Sequence, residues 1–129
     1  MARNRFVQPT TVRKELSDGD WIEIKERLTY GEQQRLAGGA LTRMTGTGNT
    51  DAGIDLDFER YNLLRMATWL VDWSFVDARD KPVRINQAAI AALDPDTAEE
   101  IDAAITEHLE ALEDLKNQRT SLASDTSSS

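Results

Sequence analysis

The widest hydrophobic face of this chain lies between Phe58 and Trp73. On a helical wheel, apolar side chains cover about half of the circumference of this stretch, and the polar side chains form a narrow stripe. So wide an apolar face is typical of a central helix, because other elements must cover most of its surface. The pattern therefore predicts a central helix over residues 58–73, whose apolar positions are Leu63, Leu64, Met66, Ala67, Leu70, Val71 and Trp73.

A second long amphipathic pattern begins at Asp94-Pro95 and ends near Arg119. Asp94 is suited to cap the helix, and Pro95 fits the first helical position, where its missing N–H costs nothing. Apolar residues recur at three- and four-residue intervals along one face, and acidic residues occupy the other. The pattern predicts a major C-terminal helix over residues 95–119.

Two interpretations of this C-terminal helix stay open. It packs on the core along its whole length, or its distal part carries an apolar stripe beyond the core and offers it to a partner helix. Under the second interpretation, the candidate partner-binding residues are Ile105, His108, Leu109, Leu112 and Leu115.

Two short runs near the N-terminus, Val12–Leu16 and Trp21–Lys25, flank the segment Ser17-Asp18-Gly19-Asp20. An Asp-Gly pair between such runs predicts a β-hairpin, because both residues tolerate the positive φ of a tight turn. Ile22 and Ile24 then share one face of the hairpin. That face must lie on helices, since a two-stranded hairpin is only marginally stable alone.

The segment between the hairpin and the central helix carries a helix start and a loop signal. Thr29 and Glu32 form a capping-box pattern, which predicts a helix that begins at Tyr30. Within it, the Gly38-Gly39 pair either permits close helix approach or is simply tolerated. The glycine-rich stretch Thr45–Asp57 predicts a flexible loop that ends with Asp57 as a helix N-cap.

After the central helix, residues 74–77 and 82–85 flank a turn-like segment, which predicts a second hairpin or an ordered loop. Asn86 is suited to cap a brief helix from Gln87 to Leu93.

These elements predict a mainly helical α+β fold with an N-terminal β-hairpin and about four helices, of which the central and C-terminal ones are the major pair. The chain has 129 residues and is 40% hydrophobic, enough for one compact core and too little for two. The predicted organisation is a loose N-terminal arm over residues 1–10, a single domain over 11–119 and a disordered Ser-rich tail over 120–129.

Charge and composition argue against several function classes. The net charge of −8 argues against phosphate-backbone binding, and the local basic patch of Arg3, Arg5, Arg13 and Lys14 is interpreted as a solvated terminus. Cysteine is absent and His108 is the only histidine, so no metal site or cofactor is expected. We expect no enzymatic activity, because no catalytic motif is present.

The N-terminus lacks the apolar core of a signal peptide, and no stretch approaches the about 20 apolar residues of a membrane helix. We therefore expect a soluble, cytosolic protein that contacts neither a membrane nor nucleic acid.

Several loosely defined motifs together resemble small tail assembly chaperones and related tail-module proteins of long-tailed bacteriophages. The resemblance covers about residues 16–112 and departs from the pattern at Asp80, where a glycine is expected in the turn. The motifs are Asp18-Gly19-Asp20-Trp21-Ile22-Glu23-Ile24, Leu28-Thr29-Tyr30-Gly31-Glu32, Trp69-Leu70-Val71-Asp72-Trp73, Lys81-Pro82-Val83 and Leu93-Asp94-Pro95.

The resemblance implies a non-catalytic protein of the host cytoplasm that binds the tape measure protein and keeps it soluble while tail tube protein assembles around it. It also implies that the protein is made in a short and a frameshift-extended form. The alternative is a structural virion protein, such as a head-to-tail joining subunit. Self-association stays open under both.

Overall fold

The structure is a computed structural model that describes residues 4–45 and 51–127, with side chains described for residues 4–39 and 59–119. Its strands are β1 (Thr11–Glu15), β2 (Trp21–Lys25) and β3 (Leu70–Trp73). Its helices are α1 (Tyr30–Thr45), α2 (Asp51–Trp69), α3 (Gln87–Ala91) and α4 (Pro95–Ser127). The predicted α+β class, the N-terminal hairpin and the two major helices are confirmed.

The predicted hairpin is formed by β1 and β2, which pair antiparallel from Thr11↔Lys25 to Glu15↔Trp21. Asp18 and Gly19 both have positive φ, at 59° and 80°, as the Asp-Gly pair predicts. The connection is longer than a tight two-residue turn, because residues 17–19 form a short 3-10 turn between the strands. Asp18 accepts the left-handed conformation that few residues other than glycine adopt at low cost.

The predicted central helix ends earlier than expected, because Leu70–Trp73 is a strand. This strand, β3, pairs antiparallel with the free edge of β2 and completes a three-stranded sheet of order β1-β2-β3. The register runs Ile22↔Trp73 and Ile24↔Leu70, so Val71 is an extra residue at a bulge. The bulge places Leu70 and Trp73 on the same face of the sheet, where both are buried.

The core lies between the inner face of the sheet and the helices. Ile22 and Ile24 share that face and are fully buried, as the hairpin pattern predicts. Burying each large side chain of this kind contributes roughly 1.5–3 kcal/mol before conformational entropy is subtracted. The buried apolar side chains are Ile22, Ile24, Leu28, Met66, Trp69, Leu70, Trp73, Ile90, Ile101 and Ile105.

The predicted capping box at the start of α1 is confirmed in both directions. The Glu32 N–H donates to Thr29 Oγ1 at 3.2 Å, and the Thr29 N–H donates to Glu32 Oε1 at 2.9 Å. Glu32 also pairs with Lys25 of β2. Partial burial alone would raise the pKa of Glu32, but the hydrogen bonds from Lys25 and Thr29 outweigh it and lower that pKa below its ordinary value.

The two glycines in α1 have different environments. A Cβ atom at Gly39 would lie 3.2 Å from Leu64 Cδ2 of α2, whereas a Cβ at Gly38 would meet nothing within 4 Å. Of the two interpretations of the pair, close helix approach therefore applies to Gly39 and simple tolerance to Gly38.

Helix α2 begins at Asp51, inside the stretch predicted as a flexible loop. The loop prediction and the N-cap role of Asp57 are thus wrong for residues 51–57, and residues 46–50 lie outside the described part of the chain. An acidic residue in the first turn favours a helix start, and one glycine inside the helix costs only about 1 kcal/mol. The glycine-rich composition of this stretch is therefore not enough to exclude a helix.

Between β3 and α3 the chain forms an ordered loop with one antiparallel bridge, Val76↔Pro82. The indole N–H of Trp73 donates to the Val83 carbonyl at 2.7 Å and holds this loop on the core. Asp80 has a φ of 59° in the turn, which is the conformation that favours glycine. Asn86 caps α3 as predicted, since its side chain accepts the Ala89 N–H at 2.8 Å.

The last helix continues to Ser127, beyond the predicted end near Arg119. Residues 120–127 therefore have a helical backbone. No glycine or proline follows Pro95, so no strong helix breaker is present to end α4 earlier.

Candidate partner-binding surfaces

Helix α4 is fixed at its start by the predicted cap and by a polar link to α2. Asp94 Oδ2 accepts the Thr97 N–H at 3.3 Å, one turn into the helix. Arg65 of α2 forms an ion pair with Asp102 of α4 and donates to Thr106 Oγ1 at 3.0 Å. The polar stripe of α2 therefore faces α4 at this point, which its wheel pattern did not predict.

The first half of α4 belongs to the core of the protein. Ile101 and Ile105 are fully buried, and His108 is only 7% exposed. Two of the five predicted partner-binding residues, Ile105 and His108, are thus packed inside their own domain. A partner could reach them only if the core opened.

His108 connects α4 to two other parts of the fold. Its Nε2 lies 2.8 Å from the Glu26 carbonyl oxygen, just after β2. A carbonyl oxygen only accepts, so Nε2 carries the proton and donates it. The edge of the imidazole also meets the Trp69 ring, with centroids 5.8 Å apart and planes at 82°. This histidine is a packed core residue.

The second half of α4 leaves the core. Leu109 and Leu112 are half-buried against it, whereas Leu115 is 53% exposed. Residues 113–119 are all exposed. We call Leu109, Leu112 and Leu115 the distal stripe. It passes from the edge of the core into solvent, so Leu115 is the predicted partner-binding residue that another molecule can reach most easily.

A groove of about 770 Å³ lies between α2, α3 and α4. Residues of all three helices line it, and we call its apolar residues the floor. Its apolar lining consists mainly of Leu63, Met66, Ile90, Leu93 and Ala98. We call this the three-helix groove. Sequence patterns did not predict it, because its lining comes from three separate segments.

Among the residues whose side chains are described, three carboxylates line the three-helix groove, those of Glu59, Glu99 and Asp102. Asp102 is paired with Arg65. Glu59 and Glu99 form no ion pair with another described residue. An apolar floor beside unpaired carboxylates favours a partner that combines apolar and cationic side chains.

The predicted basic patch is divided by the fold. Arg13 lies on the outer face of the sheet, where its guanidinium carbon is 3.9 Å from the centroid of the Trp21 ring. It also pairs with Glu23 at 3.3 Å. Arg13 is therefore engaged within the sheet and does not extend a basic surface from the N-terminal arm.

Within the described ranges, no cluster of three or more histidine, cysteine, aspartate or glutamate side chains is placed to hold a metal ion. Among the helices of that same part of the chain, none combines the length and the apolar character needed to cross a bilayer.

Comparisons with protein-family models, with curated proteins and with solved structures find no match to this chain.

Proposed function

We propose that this protein is a non-catalytic tail assembly chaperone of a long-tailed bacteriophage, which binds helical segments of the tape measure protein during assembly of the tail tube. The motif resemblance motivates the proposal. The observation that supports it best is the distal stripe, because α4 is 33 residues long and continues past the core with Leu115 exposed. A partner helix laid along this stripe would bury apolar surface that the protein's own fold leaves in water.

The charge distribution suits the same role. A net charge of −8 opposes self-aggregation, while the distal stripe remains available to an apolar partner. Acidic side chains flank the stripe on α4, including Glu110, Glu113 and Asp114. These charges would keep a complex with an aggregation-prone helical protein soluble.

Co-expression with the tape measure protein of the same genome tests the proposal. The wild-type chain should raise the soluble fraction of the tape measure protein and co-purify with it. Leu115→Asp should weaken co-purification, because it places a charge in the distal stripe. Asn117→Asp adds the same charge on the opposite face of α4 and serves as the matched control.

Equal loss in both variants would show that added charge alone weakens the complex and would remove the distal stripe from the proposal. Failure of the wild-type chain both to solubilise and to co-purify would contradict the chaperone function itself.

Mass spectrometry of purified virions separates this function from that of a structural virion protein. A chaperone should be absent from finished particles, whereas a head-to-tail joining subunit should be present in a fixed ratio. A slippery heptanucleotide near the 3′ end of the coding sequence would add support, since a frameshift-extended form is implied by the resemblance.

A further inference from the structure

The described part of the N-terminal arm, residues 4–10, is half-buried at Val7, whereas Asn4, Arg5 and Phe6 are exposed. The Phe6 N–H donates to Asn4 Oδ1 at 3.0 Å, and Gln8 Nε2 donates to the Phe6 carbonyl at 3.2 Å. These bonds and the one from the Thr10 N–H to the Gln8 carbonyl all stay within the arm. The arm is attached to the sheet only from Thr10 onward, where the Glu26 N–H donates to the Thr10 carbonyl.

Phe6 is the most exposed large apolar side chain of the described residues, at 85%. A cleft of about 410 Å³ separates the arm from Glu26 and Arg27, so the arm is not packed tightly there. Arg5 adjoins Phe6 and forms no ion pair with another described residue. The arm therefore presents an aromatic ring and a guanidinium together in solvent. Leaving the apolar surface of the ring in water is unfavourable in free energy.

The three-helix groove has the complementary properties. Its floor is apolar, its volume exceeds that of one aromatic side chain, and the carboxylates of Glu59 and Glu99 lie beside it. A phenylalanine could fill the floor while an adjacent arginine pairs with a rim carboxylate.

The arm and the groove lie apart in one molecule. The arm joins the sheet beside Glu26, whose carbonyl bonds to His108. The part of α4 that lines the groove runs from Pro95 to Ala103 and ends about 7.5 Å before His108 along the helix axis, at 1.5 Å per residue. In its own chain the arm lines the cleft beside Glu26 and not the groove. A second copy can supply an arm to the groove without any change to the domain.

We propose that the N-terminal arm of one copy docks in the three-helix groove of a second copy, with Phe6 against the apolar floor and Arg5 beside Glu59 and Glu99. The contact is weak and reversible, because a short arm buries far less surface than a permanent dimer interface. It is independent of the distal stripe and of the proposed chaperone function.

Sedimentation equilibrium of the full chain over a wide concentration range tests the proposal. Wild-type protein should associate reversibly, and Phe6→Ala should raise the dissociation constant about tenfold or more, since buried aromatic anchors dominate small interfaces. Val76→Ala, which shortens an exposed apolar side chain away from both arm and groove, should leave the dissociation constant unchanged.

Charge reversal tests the pairing of the two surfaces. Arg5→Glu and Glu99→Lys should each weaken association, and the double variant should recover much of the loss. Both positions are exposed, so thermal unfolding should be unchanged and the variants should fold. A wild-type chain that stays monomeric at all concentrations would overturn the proposal. Association that persists at wild-type strength in Phe6→Ala, or a double variant no better than the single ones, would also overturn it.

Discussion

The two halves of α4 follow one sequence pattern but have opposite environments. In the first half, Ile101, Ile105 and His108 are buried in the core. From Leu112 to Leu115 the spacing continues, yet the helix moves out of the core and its side chains become exposed. Helical periodicity thus identifies which side chains share a face, and the lengths of the neighbouring elements decide how far that face is covered.

The neighbouring elements explain where the cover ends. Trp69 closes α2 and contacts His108, and the next residues turn away into β3. Beyond this contact only Leu109 and Leu112 still pack against the core, and residues 113–119 are exposed. The inner half of α4 should therefore carry stability, and the outer half should be free to carry function.

The largest expected effect comes from the inner half. Ile105→Ala should lower the free energy of unfolding by about 2–5 kcal/mol, because it leaves a cavity at a fully buried position. Urea denaturation followed by tryptophan fluorescence measures the change. A cost below about 1 kcal/mol would mean that the inner half is not packed as described.

A smaller effect is expected at His108, where the two halves meet. His108→Leu replaces the imidazole with an apolar side chain and leaves the Glu26 carbonyl without its donor, which should cost about 1–3 kcal/mol. Glu107→Leu introduces the same residue at an exposed neighbouring position and is the control in the same denaturation assay. Similar stability of the two variants would show that the bond to Glu26 contributes little.

The ion pair between Glu32 and Lys25, next to the Glu26 carbonyl that His108 contacts, supplies a pH-dependent test. Glu32 has a lowered pKa in the folded protein, so its stabilising contribution is present above its unfolded value of about 4.5 and is lost as the pH falls through the folded pKa. Glu32→Gln keeps the capping geometry but removes the pairing with Lys25. At neutral pH it should cost up to about 1 kcal/mol.

The difference between wild type and Glu32→Gln should shrink as the pH is lowered below about 4.5, and thermal unfolding across that range would measure it. A difference that stays constant with pH would mean that the charge of Glu32 does not stabilise the fold through its pairing with Lys25.

Local signals predicted much of the fold. Caps at Thr29, Asn86 and Asp94 fix helix starts through side chains only three residues away, so short sequence patterns suffice to find them. The Asp18-Gly19 turn is local in the same sense, because it depends on the φ that each residue tolerates.

The strand β3 could not be distinguished from a helix end by its pattern. A regular strand would place Leu70 and Trp73 on opposite faces, but the bulge at Val71 brings them to one face. The two buried positions then have the three-residue spacing of a helix. Only the free edge of β2, a tertiary feature, decides in favour of a strand.

The candidate surfaces show the same limit. The distal stripe lies on one helix, so its members could be predicted, but its exposure depends on where α2 ends. The three-helix groove joins residues as distant as Glu59 and Glu99, and no sequence spacing relates them. The exposed carboxylates of α4 were the one sequence signal that pointed to the groove. They cannot be distinguished by sequence from an ordinary solvated acidic helix face.

The smallest effect on stability is expected at Leu115. Leu115→Ala should change the free energy of unfolding by no more than about 0.5 kcal/mol, because the side chain is more than half exposed and leaves no cavity. Ile105→Ala is the matched comparison, because it also truncates a large aliphatic side chain of α4 to alanine. Amide hydrogen exchange should agree, with slow exchange near Ile105 and faster exchange beyond Leu115. If Leu115→Ala instead cost as much as Ile105→Ala, the distal stripe would be covered in solution, and its role as an open partner surface would be excluded.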